Sequence, residues 1–215
     1  MNNLPQNKER KIFVNNINTW LCNFIIEELR TEHITDANTI KHTFMGTKNP
    51  NNPSPPPYLF EHELIKIDYN FHFENKIFSN DIIIYDMADT EYQEIEYVIK
   101  GLKHLRYDQE KILILVSNIM TWARTPPKIR KEDEPFDEEV NDSEESKNII
   151  PFTEEDKVTR IPSKKFFQYK MLETLAFAAA NTNPMLKAYV ICPGFLYGYG
   201  EDLFYEYFKV YIYTN

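Results

Sequence analysis

Runs of consecutive apolar residues recur along the chain and predict the strands of a sheet. The two clearest are Asp81–Tyr85 and Lys111–Ser117, whose interiors are apolar throughout. Further runs that predict strands occur at Lys11–Val14, Leu64–Asp68 and Lys187–Cys192. Strands that are apolar on both sides are typical of a parallel sheet that is covered by helices on both faces.

Segments with helical periodicity lie between these runs. Thr19–Arg30, Thr90–Leu105 and Lys164–Ala180 repeat apolar residues at helical spacing, which predicts one buried face for each helix. A further amphipathic segment begins near Glu201. The alternation of apolar strands with helices predicts an α/β fold with a Rossmann-like, doubly wound and mostly parallel sheet.

The length of 215 residues suits a single domain. We assign residues 11–215 to that domain and expect residues 1–10 to form a flexible amino terminus. Residues 125–149 are acidic and poor in apolar side chains, with nine acidic and two basic residues between Lys131 and Lys147. Because like charges repel and little can be buried there, we expect a mobile surface insertion.

Charge and composition exclude several kinds of partner. The net charge of −9 opposes binding to a nucleic-acid backbone. No apolar run approaches the ~18 residues that span a bilayer, and the polar amino terminus lacks a signal-peptide apolar region. Cys22 and Cys192 stand far apart in apolar surroundings, as expected of buried thiols in a reducing compartment. We therefore expect a cytoplasmic protein with neither nucleic-acid nor membrane partners.

The first strand-to-helix turn is where a Rossmann-like sheet holds a dinucleotide. Such a turn needs glycines, so that the backbone can approach the pyrophosphate. Here the turn contains Asn15, Asn16 and Asn18, and no glycine precedes Gly46. We expect an asparagine turn that caps the first helix at Asn18 and no bound cofactor. A dinucleotide held in the usual pose is the alternative.

A second set of positions bears on hydride transfer. Sites of the short-chain dehydrogenase type use a hydroxyl after the central strand and a Tyr-x-x-x-Lys pair on the next helix. Ser117 and Lys170 stand at these positions, but Phe166 replaces the tyrosine and has no proton to give. Tyr169, adjacent to Lys170, points about 100° away around the helix. We interpret these positions as degenerate and expect no catalytic residue.

Other catalytic and metal-binding patterns are missing from the sequence. It contains neither the G-x-x-x-x-G-K-[ST] phosphate loop nor the G-x-S-x-G nucleophile elbow. The five histidines show neither HExxH nor paired ligand spacing, so no metal site is expected.

Several phrases together resemble the amino-terminal domain of the adenylate kinase 7 family. They are SNIMTWAR at 117–124, IPFTEEDKVTR at 150–160 and the segment 187–209, together with IFVNN at 12–16 and DIIIYDMAD at 81–89. Within the third phrase, Cys192–Gly200 is similar to the R-P-x-x-x-Y-G phrase of extended short-chain dehydrogenases. The resemblance implies a degenerate NAD-dependent epimerase-like fold, which precedes an adenylate kinase domain in that family. Because the chain ends at Asn215, its carboxyl-terminal part is expected to be truncated.

The family is associated with motile cilia, which sets the functional expectation. The resemblance implies a non-catalytic docking component of an axonemal complex, located in the cytoplasm and the cilium axoneme, with axonemal proteins as partners. The alternative is a nucleotide-handling protein, either part of an adenylate kinase system or an NAD(P)-dependent oxidoreductase or epimerase.

The last amphipathic segment, Asp202–Tyr213, is rich in aromatic residues. Phe204, Tyr205, Phe208 and Tyr211 follow helical spacing, and further apolar residues fill the rest of the circumference. We expect these four residues to bind a partner protein, since contiguous apolar patches are seldom left in water. The alternative is the beginning of a longer helix and strand.

Overall fold

A computed structural model describes most of the chain. The described residues are 10–30, 42–49, 63–65, 71–130, 149–198 and Lys209. The side chains of residues 63–65 and 71–74 are not described.

A six-stranded parallel sheet forms the centre of the described region. The strands are β1 Arg10–Val14, β2 His42–Thr47, β3 Glu63–Ile65, β4 Ile82–Asp86, β5 Lys111–Val116, β6 Lys128–Ile129, β7 Ile149–Ile150 and β8 Leu186–Ile191. The sheet has the order β3-β2-β1-β4-β5-β8, while β6 and β7 pair as a separate antiparallel ribbon. The chain thus winds outward in both directions from the β1–β4 pair, which confirms the predicted doubly wound α/β fold.

Four α-helices flank the sheet in the described ranges. They are α1 Trp20–Arg30, α2 Phe71–Phe78, α3 Tyr92–His104 and α4 Phe167–Thr182. On one face, Cys22 and Ile26 of α1 pack with Val14 and Ile84. On the other face, apolar residues of α2, α3 and α4 pack with β1, β4 and β5 in a larger core. Each central strand is therefore buried on both sides, as its continuous apolar run predicts.

The strand register aligns the ends of β1, β4 and β5 at one edge of the sheet. Val14 pairs with Ile84, and Ile84 pairs with Ile114. Two residues further along, Asp86 pairs with Val116. The residues that follow these strands therefore share the carboxyl edge of the sheet.

Four strands and helices were not predicted from the sequence, namely β2, β6, β7 and α2. In addition, a 3-10 turn at Lys164–Phe166 precedes α4, so the α-helix begins at Phe167 and not at Lys164. The two ends of the acidic stretch are paired, since Lys128 lies opposite Ile150 in the β6–β7 ribbon. Residues 131–148 between them, residues 1–9 and most of the aromatic segment lie outside the described residues.

Two further expectations concern membranes and thiols. No helix in the described part of the chain is long and apolar enough to cross a bilayer. Cys22 and Cys192 are both free thiols; Cys22 is buried and Cys192 is half-buried.

Candidate functional site

The candidate site is the carboxyl edge of the sheet, where ligands bind in open α/β folds. The turn after β1 contains the three asparagines of the sequence analysis, and Ser117 follows β5 directly. Asp86 ends β4 and lies between them.

The side chains of Asn15 and Asn16 tie the β1 turn to the loop after β4. The Oδ1 atom of Asn15 accepts a hydrogen bond from the backbone N–H of Asp86 at 2.7 Å, and its amide donates to the hydroxyl of Thr90. Asn16 adopts a left-handed backbone with φ of 47°, and its amide donates to the carbonyl of Asp89 at 2.6 Å. Both asparagines are almost fully buried.

Asn18 joins the same turn to the end of β2. Its Oδ1 atom accepts from the N–H of Asn49 at 2.7 Å, and its amide donates to the carbonyl of Asn49 at 3.0 Å. These two bonds join Asn18 to a residue two positions beyond β2, and the capping of α1 by Asn18 stays a prediction. Helix α1 itself begins two residues later, at Trp20.

The backbone N–H groups of this turn also have acceptors within the protein. Thr47 takes two of them: its hydroxyl accepts from Asn16 at 2.8 Å and its carbonyl accepts from Ile17 at 2.9 Å. The N–H groups of Asn15 and Thr19 donate to backbone carbonyls at 3.1 and 2.8 Å. Four backbone N–H groups of the turn therefore already donate within the protein.

Gly46, the first glycine of the chain, lies directly against the turn. A Cβ atom at this position would lie 2.1 Å from Cγ2 of Ile17 and 2.4 Å from the carbonyl oxygen of Val14. A glycine is therefore needed next to the turn, although it lies on β2 and not in the turn itself. Its lack of a side chain leaves room for the side chain of Ile17.

The same edge carries the buried carboxyl group of Asp86. Burial, opposed by the hydrogen bond from the N–H of Ala88 and assisted by the nearby charge of Asp89, raises the pKa of Asp86 to about 6. At neutral pH most Asp86 carboxyls are still ionised. The carboxylate of Asp86 thus lies beside a turn in which the N–H groups of Asn15, Asn16, Ile17 and Thr19 already donate within the protein.

A second cluster forms around Ser117. Its hydroxyl donates to Oε1 of Glu173 on α4, and the guanidinium of Arg160 pairs with Oε2 of the same carboxylate. Glu173 is fully buried, and the exposed fractions of Arg160 and Ser117 are 6% each. Burial raises the pKa of Glu173, whereas the hydrogen bond from Ser117 and the charge of Arg160 oppose that rise.

Arg160 links this cluster to the end of β8. Its Nη1 atom lies 3.4 Å from the hydroxyl of Thr121 and 3.5 Å from the sulfur of Cys192. On its other side the guanidinium lies 5.3 Å from the ring centroid of Trp122, which packs at 5.2 Å against the ring of Phe152. Three residues of the phrases SNIMTWAR and IPFTEEDKVTR thus pack together, which gives a physical reason for their joint occurrence.

The remaining predicted positions lie on or near α4. The ammonium of Lys170 donates to the carbonyl of Lys157 at 2.7 Å, and burial together with the charge of Arg160 lowers its pKa. Phe166 packs edge-on against Tyr169 at 5.1 Å. In the structure the hydroxyl of Ser117 contacts Glu173, which lies one helical turn after Lys170 on α4.

Sequence reasoning missed Glu173 and Arg160. The available signal was a lone acidic residue in the apolar run MLETLAFAAA of residues 171–180. A carboxylate on a buried helix face requires a partner, although the run does not reveal which residue supplies it.

The predicted partner-binding site has no structural description. Phe204, Tyr205, Phe208 and Tyr211 lie outside the described residues. Among the described residues, no group of three His, Cys, Asp or Glu side chains is arranged to hold a metal ion.

Comparison with known proteins gives one relative in sequence. Adenylate kinase 7 from Mus musculus is 27% identical over 135 residues, which cover 60% of this chain and 19% of the relative. The chain thus matches about a fifth of the length of that protein. No protein-family model matches the chain.

Comparison with solved structures supports the fold. The nucleoside-diphosphate-sugar epimerase from Agrobacterium tumefaciens matches with a TM-score of 0.55 at 12% identity, over 89% of this chain and 54% of the epimerase. At this identity the likeness establishes the fold alone. The chain therefore has a Rossmann-like α/β fold of the kind found in that epimerase, and its sequence is similar to part of adenylate kinase 7.

Proposed function

We propose that this protein is a non-catalytic Rossmann-like module that acts as a structural docking component of a motile-cilium axonemal complex. It works in the cytoplasm and the axoneme, and its partners are axonemal proteins. The support for this proposal comes from the two clusters at the carboxyl edge and from the resemblance of several phrases to the adenylate kinase 7 family.

The observation that carries the non-catalytic part is the closed asparagine turn. The amides of Asn15 and Asn16 donate to acceptors after β4, and Thr47 accepts the N–H groups that would meet a phosphate. A pyrophosphate would have to displace these bonds and lie beside the carboxylate of Asp86. We therefore propose that the protein uses no dinucleotide cofactor.

The cluster at Ser117 supports the same conclusion. A hydroxyl that polarises a substrate carbonyl must point toward the substrate, whereas this hydroxyl donates to the buried Glu173. The position four residues before Lys170 is Phe166, which supplies no proton. We propose that these residues stabilise the domain and take no part in a reaction.

The docking part of the proposal is carried by the aromatic segment. Phe204, Tyr205, Phe208 and Tyr211 are proposed to anchor the partner, because aromatic residues dominate the energetics of many interfaces. A deletion of residues 202–215 should abolish incorporation into the native axonemal fraction of ciliated cells. A chain lacking residues 1–9 is the control and should still be incorporated. Normal incorporation of the chain without residues 202–215 would contradict the docking role.

Titration calorimetry tests the absence of a cofactor. NADH and NADPH should bind no tighter than about millimolar, because the contacts at the turn and the helix terminus are missing. Thermal-shift measurements with ATP and AMP extend the test to the adenine nucleotides. A micromolar dissociation constant for any of these ligands would contradict the proposal.

A second candidate function is nucleotide handling, either as part of an adenylate kinase system or as an NAD(P)-dependent oxidoreductase or epimerase. The name of the relative favours the first form, and the fold favours the second. The ligand measurements above separate this candidate from the docking module.

A further inference from the structure

Basic residues are concentrated in two segments of this acidic protein. The chain as a whole has a net charge of −9. Residues 118–130 nevertheless contain three basic and no acidic residues, and residues 157–170 contain five basic and no acidic residues. Both segments are therefore positively charged, whereas the chain as a whole is negatively charged.

The two segments lie side by side at the carboxyl edge. The N–H of Arg124 donates to the carbonyl of Ile161 at 3.0 Å, and the N–H of Ser163 donates to the carbonyl of Met120 at 3.1 Å. Residues 119–124 and 161–165 therefore form one continuous surface, which we call the basic surface.

Some basic residues of these segments already have acceptors within the domain. Arg160 pairs with Glu173, and the ammonium of Lys128 lies 3.2 Å from the carboxylate of Asp156. Arg124, Lys164 and Lys165 are exposed, and none of the three forms an ion pair with another described residue. The basic surface thus presents three cations to solvent.

Apolar side chains lie among these cations. Ile119, Met120 and Ile161 have exposed fractions of 46, 40 and 44%. A surface that only attracts small anions has no need of them. The combination of exposed apolar groups with unpaired cations instead complements a polypeptide that carries both apolar side chains and carboxylates.

We propose that the basic surface binds an acidic segment of a partner protein, whose apolar side chains contact Ile119, Met120 and Ile161. Its carboxylates would pair with Arg124, Lys164 and Lys165. This inference rests on the docking role proposed above and adds a second contact surface, distinct from the aromatic segment. A nucleic acid is the less suitable ligand, because the overall charge of −9 repels its backbone.

Fluorescence anisotropy with the full chain tests the proposal. The probe is a labelled glutamate-rich peptide with Phe and Leu four residues apart, compared with the same peptide carrying Ser at both positions. The double variant Lys164→Glu/Lys165→Glu should bind the probe at least about tenfold more weakly than the unchanged chain. The difference should be larger at low salt. Ile161→Ser should weaken binding of the Phe/Leu peptide but not of the Ser peptide.

The control variant is Lys100→Glu/Lys187→Glu, which makes the same change of charge on α3 and at the start of β8. It should bind the probe nearly as tightly as the unchanged chain. Equal weakening by both double variants would overturn the proposal, as would absent binding or tighter binding of a single-stranded oligonucleotide. If these results are negative while deletion of residues 202–215 still abolishes incorporation, only this inference is wrong and the docking role stands.

Discussion

Ser117 at the end of β5 donates its hydroxyl to Glu173, a residue that lies 56 positions later on α4. The same carboxylate accepts the guanidinium of Arg160, so one buried anion holds both groups. The hydroxyl is thereby directed toward a fully buried carboxylate. This cluster connects the strand, the helix and the loop that contains Trp122.

The first prediction concerns the Arg160–Glu173 pair. Arg160→Met and Glu173→Gln should each lower the free energy of unfolding by about 3–5 kcal/mol, because each leaves one buried charge uncompensated. The double variant should be less destabilised than the sum of the two, with a coupling of about 1–3 kcal/mol. Urea denaturation of the four proteins measures this coupling.

An exposed pair serves as the control for that cycle. Lys187 and Glu110 lie 3.9 Å apart, and both side chains are about half exposed. Lys187→Met should therefore cost less than about 1 kcal/mol. Strict additivity of the two changes at Arg160 and Glu173 would contradict the description of the pair as a buried unit.

The second prediction is a pH dependence that originates at Asp86. Its pKa is raised from 3.8 to about 6, so between these values the folded state binds more protons than the unfolded state. The contribution of Asp86 to stability therefore falls as the pH rises through this window, by about 3 kcal/mol in total. Asp86→Asn should remove that loss and stabilise the protein at pH 7 but not at pH 4.

Thermal denaturation at several pH values checks this prediction. Asn can still accept the hydrogen bond from Ala88, so the local turn is kept. Asp108→Asn, at an exposed position, is the control and should leave the pH profile unchanged. Equal stability of the Asp86→Asn variant and the unchanged protein at neutral pH would show that the carboxylate carries no penalty.

The third prediction compares two glycines. Gly46→Ala should destabilise the protein by about 1–3 kcal/mol, because the new Cβ would overlap Ile17 and the carbonyl of Val14. Gly194→Ala is the matched control, since no atom lies within 4 Å of the Cβ position there. Chemical denaturation distinguishes them, and equal effects at the two positions would contradict the close approach of β2 to the turn.

The fourth prediction concerns the asparagine turn. Asn15→Gly or Asn18→Gly alone should not produce measurable NADH binding, because Thr47 still accepts the neighbouring N–H groups and Asp86 stays in place. Each change should instead lower stability, since it removes hydrogen bonds to Asp86 or Asn49. Calorimetry that gave a micromolar constant for either variant would mean that the side chain alone excludes the cofactor.

The sequence by itself determined the fold class and the central strands. β4 and β5 are apolar on both sides, and only the interior of a covered parallel sheet can bury both sides of a strand. The observed strands begin and end within one residue of the predicted runs at β1, β4, β5 and β8. This information is local, because each run carries its own pattern.

Strand β2 could not be predicted from its own sequence pattern. His42–Thr47 reads HTFMGT, which contains a histidine, two threonines and a glycine and has no continuous apolar run. It is a strand because β1 and β3 supply hydrogen bonds on its two sides, with Met45 paired to Phe13 and to Glu63. Its glycine is explained only by the nearby Ile17, which comes from another part of the chain.

The tertiary structure alone decided what the polar residues of the candidate site do. The missing glycines could be counted in the sequence, but the bond between Asn15 and Asp86 spans 71 residues. Nor does any sequence pattern connect Ser117 with Glu173. A buried hydrogen bond between residues far apart in the chain produces no periodic pattern in the sequence. Its partners meet only after the sheet has brought the strand ends together.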